Sequence, residues 1–250
     1  MRMLVFGKRN IKEILRDPLS LVFLVGFPVV LLLFFQILII SIGREMLDAT
    51  PQFQINNLAS SISIFGFSFL TLFAGLLISK DRTTSFIVRL RSTPMTTSDF
   101  IFGYLLPMLP IALVQVLICF AISLFFGLKL SINLLLAIVL LLPSAVLFIA
   151  LGVLIGSLVS DKAVGGIASI VVNLAAVLGG MFFPLRIMEG AFVTIAYIFP
   201  FAHCVDLATY AITGQYSEIL KPLIVVVSYT IVILVISLLV FRKKLTSDKT

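Results

Sequence analysis

Residues 179–184 read Gly-Gly-Met-Phe-Phe-Pro, and the apolar run that follows them ends in the dipeptide Phe199-Pro200. This region cannot form one straight membrane helix, because paired glycines and a proline interrupt it and Arg186 and Glu189 follow closely. A membrane tolerates broken backbone only where it is buried in protein or lines a water-filled cavity. The segment therefore marks a place in the membrane where a solute could pass.

The composition around this segment is that of a membrane protein. The chain has 250 residues, of which 61% are hydrophobic and 12% charged, whereas a soluble domain is about half apolar and about a quarter charged. Each of six apolar runs is long enough to cross a hydrocarbon core, which takes about 20 helical residues. We therefore predict one all-α integral membrane domain over residues 1–250, with spans at 19–41, 58–79, 100–127, 132–160, 163–184 and 222–241.

The first 17 residues predict an amphipathic helix that lies in the membrane interface. Leu4, Ile11, Ile14 and Leu15 fall close together on a helical wheel, and basic residues lie mostly on the other side. These interfacial bases include Lys8, Arg9, Lys12 and Arg16. The alternative is an ordinary solvated basic tail before the first span.

Basic residues also set the orientation. Six spans place both termini on one side, and that side carries 14 of the 18 lysines and arginines, spread over both tails and two loops. The positive-inside rule makes it the cytoplasmic side. A charge of +7 distributed in this way indicates membrane orientation rather than nucleic-acid binding.

The predicted spans carry almost no chemistry of their own. None has an acidic or basic residue in its central part, which disfavours an ion-coupled carrier or a channel that stands alone. His203 and Asp206 could share a helical face, but we interpret them as a polar pair satisfied near the outer interface, and Cys119 and Cys204 as apolar fillers. No metal site and no membrane-embedded enzyme is expected.

The chain also lacks the Gly-x-x-x-x-Gly-Lys-Ser/Thr sequence that binds nucleotide. Energy for uphill transport would therefore have to come from a partner. Residues 80–94, within the polar stretch 80–95, form the internal cytoplasmic loop long enough to offer that partner a helix.

Three motifs in order resemble the membrane subunits of ATP-binding-cassette (ABC) exporters of the second membrane-domain type, found in bacteria and archaea. Residues 8–18, KRNIKEILRDP, look like the family's elbow helix and the Arg-Asp-Pro that precedes its first span. The coupling loop of the family is matched by Asp81-Arg82, Ser85 and residues 90–95, LRSTPM. Residues 178–184 and Phe199-Pro200-Phe201 match the pattern around its two short re-entrant outer helices.

The resemblance implies a permease in the plasma membrane, working as a homo- or heterodimer with two separate ABC ATPase subunits that bind ATP and magnesium. This chain itself would hold no cofactor. ATPase closure would push on the coupling segment, whose expected contact residues are Asp81, Arg82, Ser85, Phe86, Arg89, Leu90, Arg91 and Pro94.

The resemblance places the substrate route at the dimer interface, along the second and fifth spans. On the second span one helical face carries Ser60, Ser63, Phe67 and Thr71. With Asn173, Phe182 and Phe183 they are the expected lining, under an outer lid of Gly179, Gly180, Pro184 and Pro200 in a re-entrant segment at 184–200. The alternative is that the hydroxyl residues only pack helices and the phenylalanines only face lipid.

The substrate expected of such a permease is an amphipathic drug, an antibiotic or a lipid-like compound, as in multidrug export. Lipid-linked polysaccharide is the alternative substrate. It is disfavoured by the absence of tryptophan, since carbohydrate paths tend to be lined by aromatics that include tryptophan.

Overall fold

The computed structural model describes residues 2–42, 51–83, 96–183, 185 and 188–247, and it shows an all-α chain that is 88% helical and has no strands in the described part. The helices are α1 (Arg2–Leu15), α2 (Pro18–Ser41, with a π-helical turn at Val22–Gly26), α3 (Ile55–Thr83), α4 (Thr97–Phe125), α5 (Ile132–Leu158), α6 (Asp161–Leu178), α7 (Ala191–Ile198), α8 (Pro200–Thr213) and α9 (Leu220–Ser247). Helices α2 to α6 and α9 are long and apolar enough to cross a membrane, which confirms the predicted fold class.

Helix α3 lies at the centre of the bundle. In its most apolar 18-residue stretch 89% of the residues are buried, compared with 22–50% in the other candidate spans. It packs against α2, α4, α5, α6 and α8. Most of its hydroxyl groups donate to carbonyls one turn earlier in α3, so they are satisfied without water.

Glycines let α3 and α5 approach until their backbones touch. A Cβ atom on Gly152 would lie 2.5 Å from the carbonyl oxygen of Thr71, and one on Gly156 would lie 2.5 Å from that of Gly75. Thr71 uses this proximity to donate its hydroxyl to the Phe148 carbonyl oxygen at 2.7 Å. The spacing of Gly152 and Gly156 by four residues, a small-residue packing pattern in membranes, therefore brings the backbones of α3 and α5 into contact.

Helix α1 packs on the start of α4 through a face that differs in part from the predicted one. Phe6, Asn10 and Ile14 are buried, while Leu15 is 53% exposed. The Asn10 amide donates to the Gly103 carbonyl oxygen at 2.9 Å, and a Cβ atom on Gly103 would collide with the Phe6 ring. A polar residue thus belongs to the inner face because α4 offers it a buried acceptor.

The outer segment is broken as the sequence predicts, but its boundaries differ. Helix α6 ends at Leu178, six residues before the predicted end, because Gly180 adopts a left-handed conformation with φ +75° that stops the helix. Helices α7 and α8 then meet at 85° around Phe199. The bent pair extends to Thr213, beyond the predicted limit of 200.

Replacement of Gly156 by alanine should destabilise the fold, because the new methyl group would meet the Gly75 backbone. Overpacking of this kind costs about 1–3 kcal/mol, which corresponds to about 2–12 °C for a chain of this size. Thermal unfolding can be followed with a thiol-reactive dye, since Cys119 and Cys204 are both buried and react only after opening.

The matched control is Gly26→Ala, at a helical position where a Cβ atom meets nothing within 4 Å. This variant should unfold at or above the temperature of the unmodified chain, since alanine favours helix. Equal midpoints for Gly26→Ala and Gly156→Ala would contradict the close contact of α3 and α5.

Candidate functional site

The candidate site is the end of α3 that precedes residues 84–95. Asp81 and Arg82 lie in its last turn. The other predicted coupling residues, which are Ser85, Phe86, Arg89, Leu90, Arg91 and Pro94, lie outside the described residues. The geometry of this end therefore comes from the last turn of α3 and from the four helices around it.

Asp81 joins three helices through its carboxylate. The residue is 2% exposed and accepts two hydrogen bonds from the Arg9 guanidinium of α1, at 2.6 and 2.8 Å. The Tyr104 hydroxyl of α4 donates to the same carboxylate at 2.9 Å. A buried carboxylate needs such partners, because charge removed from water without them is costly.

Arg9 carries the balancing charge of this cluster. Partial burial lowers its pKa, but hydrogen bonding and charge attraction from Asp81, with a further contribution from Glu13, outweigh burial and raise the pKa above its ordinary value. Glu13 bonds Arg9 at 2.6 Å and also Lys80 of α3 at 3.1 Å. Helix α1 is thus fixed to the end of α3 by two carboxylates and two bases.

Arg82, in the same turn of α3, bonds the end of α5. Its guanidinium donates to the carbonyl oxygens of Gly156 and Ser157, both at 2.7 Å, and of Val159 at 3.3 Å. These carbonyls end α5, where the helix dipole is negative and the last groups lack partners within the helix. Nearby, the Ser79 hydroxyl donates to Asp161 at the start of α6 at 2.9 Å.

Four consecutive residues, 79–82, therefore bind α1, α4, α5 and α6. Each of these contacts is a charged or polar bond, so the last turn of α3 is joined to all four helices. The acids and bases of this cluster neutralise one another.

The predicted lining residues of α3 are buried within the protomer. Ser60, Ser63, Phe67 and Thr71 are each at most 1% exposed. The three hydroxyl groups donate to the Asn56, Ala59 and Phe148 carbonyl oxygens. These side chains can line a path only where α3 separates from the neighbours that cover them here.

The remaining predicted lining residues lie on the protein surface. Asn173 is exposed on α6, with its amide donating to the Ser169 carbonyl oxygen at 2.8 Å. Phe182 and Phe183 are 46% and 41% exposed beyond the end of α6. The structure thus separates the two predicted parts of the lining, one buried on α3 and one open on α6 and the turn after it.

Two of the four predicted lid residues line a small pocket of about 40 Å³. Gly179 and Gly180 line it together with Tyr197 and Asp206. Pro200 begins α8 and is buried, whereas Pro184 lies outside the described residues.

Tyr197 connects the two polar residues that were expected to form a pair. Its hydroxyl donates to Asp206 at 2.8 Å, and its carbonyl oxygen lies 3.1 Å from His203 Nε2. His203 and Asp206 are both buried, so this tyrosine satisfies them inside the bent pair.

The partners of Asp81 were not predicted from the sequence. The pattern of residues places Arg9 in the interface only, and it places Tyr104 within an apolar span. Asp81 itself was the residue from which a partner could have been predicted. A carboxylate at the end of a membrane span requires a base from another element. Lys8, Lys12 and Arg16 are exposed.

The family model described as ABC-2 type transporter matches residues 2–213, which covers α1 to α8. No curated protein matches the sequence.

We expect Arg9→Gln to destabilise the chain, because it leaves the buried Asp81 carboxylate without its base. Breaking a buried ion pair costs about 3–5 kcal/mol, and the 35% exposure of the Arg9 side chain favours the lower value. The thiol-reactive dye should report a midpoint lower by about 6–12 °C. The variant Arg16→Gln, just beyond the end of the same helix, should change it by less than about 2 °C.

Adding Asp81→Asn to Arg9→Gln should recover part of the loss, since the unpaired charge is then removed. A coupling energy of about 1–3 kcal/mol is expected for contacting residues. Strictly additive losses in the double variant would show that the two side chains do not depend on each other.

Proposed function

Because the chain belongs to the ABC-2 type transporter family, we propose that it is the permease subunit of an ATP-driven exporter. The family supports the coarser part of this statement, a membrane transport subunit of an ABC transporter that is not itself catalytic. The proposal adds that two separate ABC ATPase subunits bind ATP and magnesium, and that the substrate moves outward.

The anchored end of α3 is the observation that best supports coupling to an ATPase. Residues 79–82 are bonded to α1, α4, α5 and α6, and the loop 84–95 follows immediately. Movement of an ATPase against residues 85–94 would displace the end of α3. Because that end is bonded to the surrounding helices, they would move with it. Asp81 and Arg82 would then transmit movement rather than contact the ATPase directly.

The exposed face of α6 supports a second permease copy or a paralogue as partner. Gly166, Ser169 and Asn173 lie on that face, and only 28% of the most apolar stretch of α6 is buried. An asparagine side chain facing hydrocarbon is costly, whereas small and polar residues are typical of interfaces between membrane helices. We therefore place the partner against α6, with the substrate route beside it.

The proposed route starts between the two copies and passes Asn173, Phe182 and Phe183 below the bent pair α7 and α8. Two exposed phenylalanines and one exposed amide suit an amphipathic drug, an antibiotic or a lipid-like compound better than a sugar polymer, which needs many hydrogen-bonding groups. In this arrangement Ser60, Ser63, Phe67 and Thr71 support α3 and become part of the lining only when α3 moves.

The proposed orientation places the termini and the loop 84–95 in the cytoplasm of a bacterium or archaeon, with α7 and α8 at the outer face. It rests on the distribution of basic residues, 14 of which lie on the cytoplasmic side in this topology.

The coupling proposal predicts that Leu90→Glu uncouples ATP hydrolysis from transport. The chain is expressed together with the products of its neighbouring genes, purified with whatever subunits bind it and placed in proteoliposomes, where ATP hydrolysis and dye export are measured. A charge in the expected contact should reduce export at least tenfold. The thiol-reactive dye should show that the permease in the complex is still folded.

The matched control is Leu130→Glu, which places the same charge at a position that is 81% exposed on the opposite side of the membrane. It should leave hydrolysis and export unchanged. The proposed function is wrong if no ATPase subunit copurifies with the unmodified chain, or if Leu90→Glu exports as well as Leu130→Glu.

The dimer proposal predicts that Ser169→Trp weakens self-association, because a bulky ring would separate the exposed faces of α6. Single-molecule photobleaching in liposomes should show a dimer fraction reduced at least fivefold. The control is Val139→Trp on α5, a position that is 58% exposed outside the proposed interface. Equal dimer fractions in both variants would place the interface elsewhere.

A further inference from the structure

A large crevice opens between α1, the start of α2, and the cytoplasmic half of α3. Its volume is about 960 Å³, within the range of cavities that hold drug-sized ligands. Its floor is apolar and includes Phe73, Leu76 and Leu77. Its rim is charged. It carries bases of α1 and the acids Glu13, Asp17 and Asp161.

The three acids of the rim are already engaged within the protein. Glu13 binds Arg9 and Lys80. Asp17 caps the start of α2, where it accepts from the backbone nitrogen of Leu19 at 3.2 Å and from the Ser20 hydroxyl. Asp161 accepts from the Ser79 hydroxyl.

Three bases of the rim keep an uncompensated charge. Lys8, Lys12 and Arg16 succeed one another at intervals of four residues, so they form one stripe along α1 and the turn that follows it. Within the described ranges none of them forms an ion pair. Residues 84–95, which follow α3 in the sequence, include no acidic residue.

We propose that this crevice binds an anionic phospholipid of the cytoplasmic leaflet. The phosphate lies against Lys8, Lys12 and Arg16, and an acyl chain lies on Phe73, Leu76 and Leu77. Basic pockets between membrane helices on the cytoplasmic side are suited to anionic headgroups, and the apolar floor below the stripe supplies what the chain of a lipid requires. The inference goes beyond the proposed transport function and requires only its orientation.

The crevice lies beside the charged cluster that fixes α1 to α3. Arg9 and Lys80 also line it, and both belong to the cluster around Glu13 and Asp81 that fixes α1 to α3. A phospholipid seated there would touch both sides of that junction. It would thereby stabilise the junction through its binding energy.

The test measures lipid retention by the purified full chain, using native mass spectrometry after incubation with phosphatidylglycerol or phosphatidylcholine. We expect preferential retention of phosphatidylglycerol. The triple variant Lys8→Gln, Lys12→Gln, Arg16→Gln should weaken this retention by on the order of a hundredfold, since each base near an anionic headgroup contributes about fivefold.

The matched control removes the same number of charges outside the crevice, with Lys129→Gln, Lys162→Gln and Lys221→Gln. It should retain phosphatidylglycerol like the unmodified chain. Both triple variants are checked for folding with the thiol-reactive dye. Loss of retention in the control equal to that in the crevice variant would overturn the proposal, as would equal retention of the two lipids by the unmodified chain.

A second pair of variants separates the crevice from the open membrane surface. Leu76→Trp fills the floor without changing charge and should reduce phosphatidylglycerol retention at least fivefold. Leu72→Trp, on the same helix and equally half-buried but outside the crevice, should not. Unchanged retention in Leu76→Trp would show that the lipid lies on the exposed bases alone and would overturn the site.

Inorganic phosphate at the same concentration should not displace the lipid, because it lacks the acyl chain that contacts the floor. Displacement by phosphate would mean that the bases bind free anions, and the lipid site would be rejected.

Discussion

The contact of α3 with α5 is the constraint on which the rest of the structure depends. In a bilayer no hydrophobic effect drives helices together, so they must gain dispersion contacts and hydrogen bonds by close approach. Gly152 and Gly156 permit that approach, and Thr71 converts it into a hydrogen bond to the α5 backbone. Because α3 is held there, it can be covered on its other sides by α2, α4, α6 and α8.

The same contact explains why charged residues can lie at the end of α3. Arg82 reaches the last carbonyls of α5 only because the two helices run side by side up to Gly156. Asp81 points to the other side of the turn, towards Arg9 and Tyr104. Opposite charges on consecutive residues are thus divided between two neighbours, and the helix end is fixed from both sides.

The main elements of the fold were predictable because a helix that crosses the hydrocarbon core needs a long apolar run of sequence. Apolar runs of sufficient length predicted the spans, and the capping box of Thr96 and Asp99 begins α4 as its residue types indicate. The early end of α6 was not predicted, because the apolar pattern continues through Met181, Phe182 and Phe183. A glycine in the left-handed conformation ends a helix whatever the polarity of the residues after it.

The partners within the site were less predictable, since they depend on tertiary contacts. Arg9 and Asp81 are 72 positions apart, and no periodicity in the sequence joins them. The face of α3 with Ser60, Ser63 and Phe67 was identified from its spacing, but spacing does not tell which neighbour covers a face. In a helix surrounded on all sides, small polar residues occur on every face, so polarity does not point to a pore.

The bent pair α7 and α8 also determines how often the chain crosses the membrane. Tyr197 is bonded to Asp206, and the Tyr229 hydroxyl of α9 donates to the Ile198 carbonyl oxygen at 2.6 Å, so the bend is fastened on both sides. Straightening it into a seventh crossing would break these bonds in a medium without water to replace them. In the proposed topology the number of crossings is therefore six, which is even. With an even number of crossings, α9 ends on the side of the membrane where α2 begins. Both basic ends of the bundle then face the same compartment.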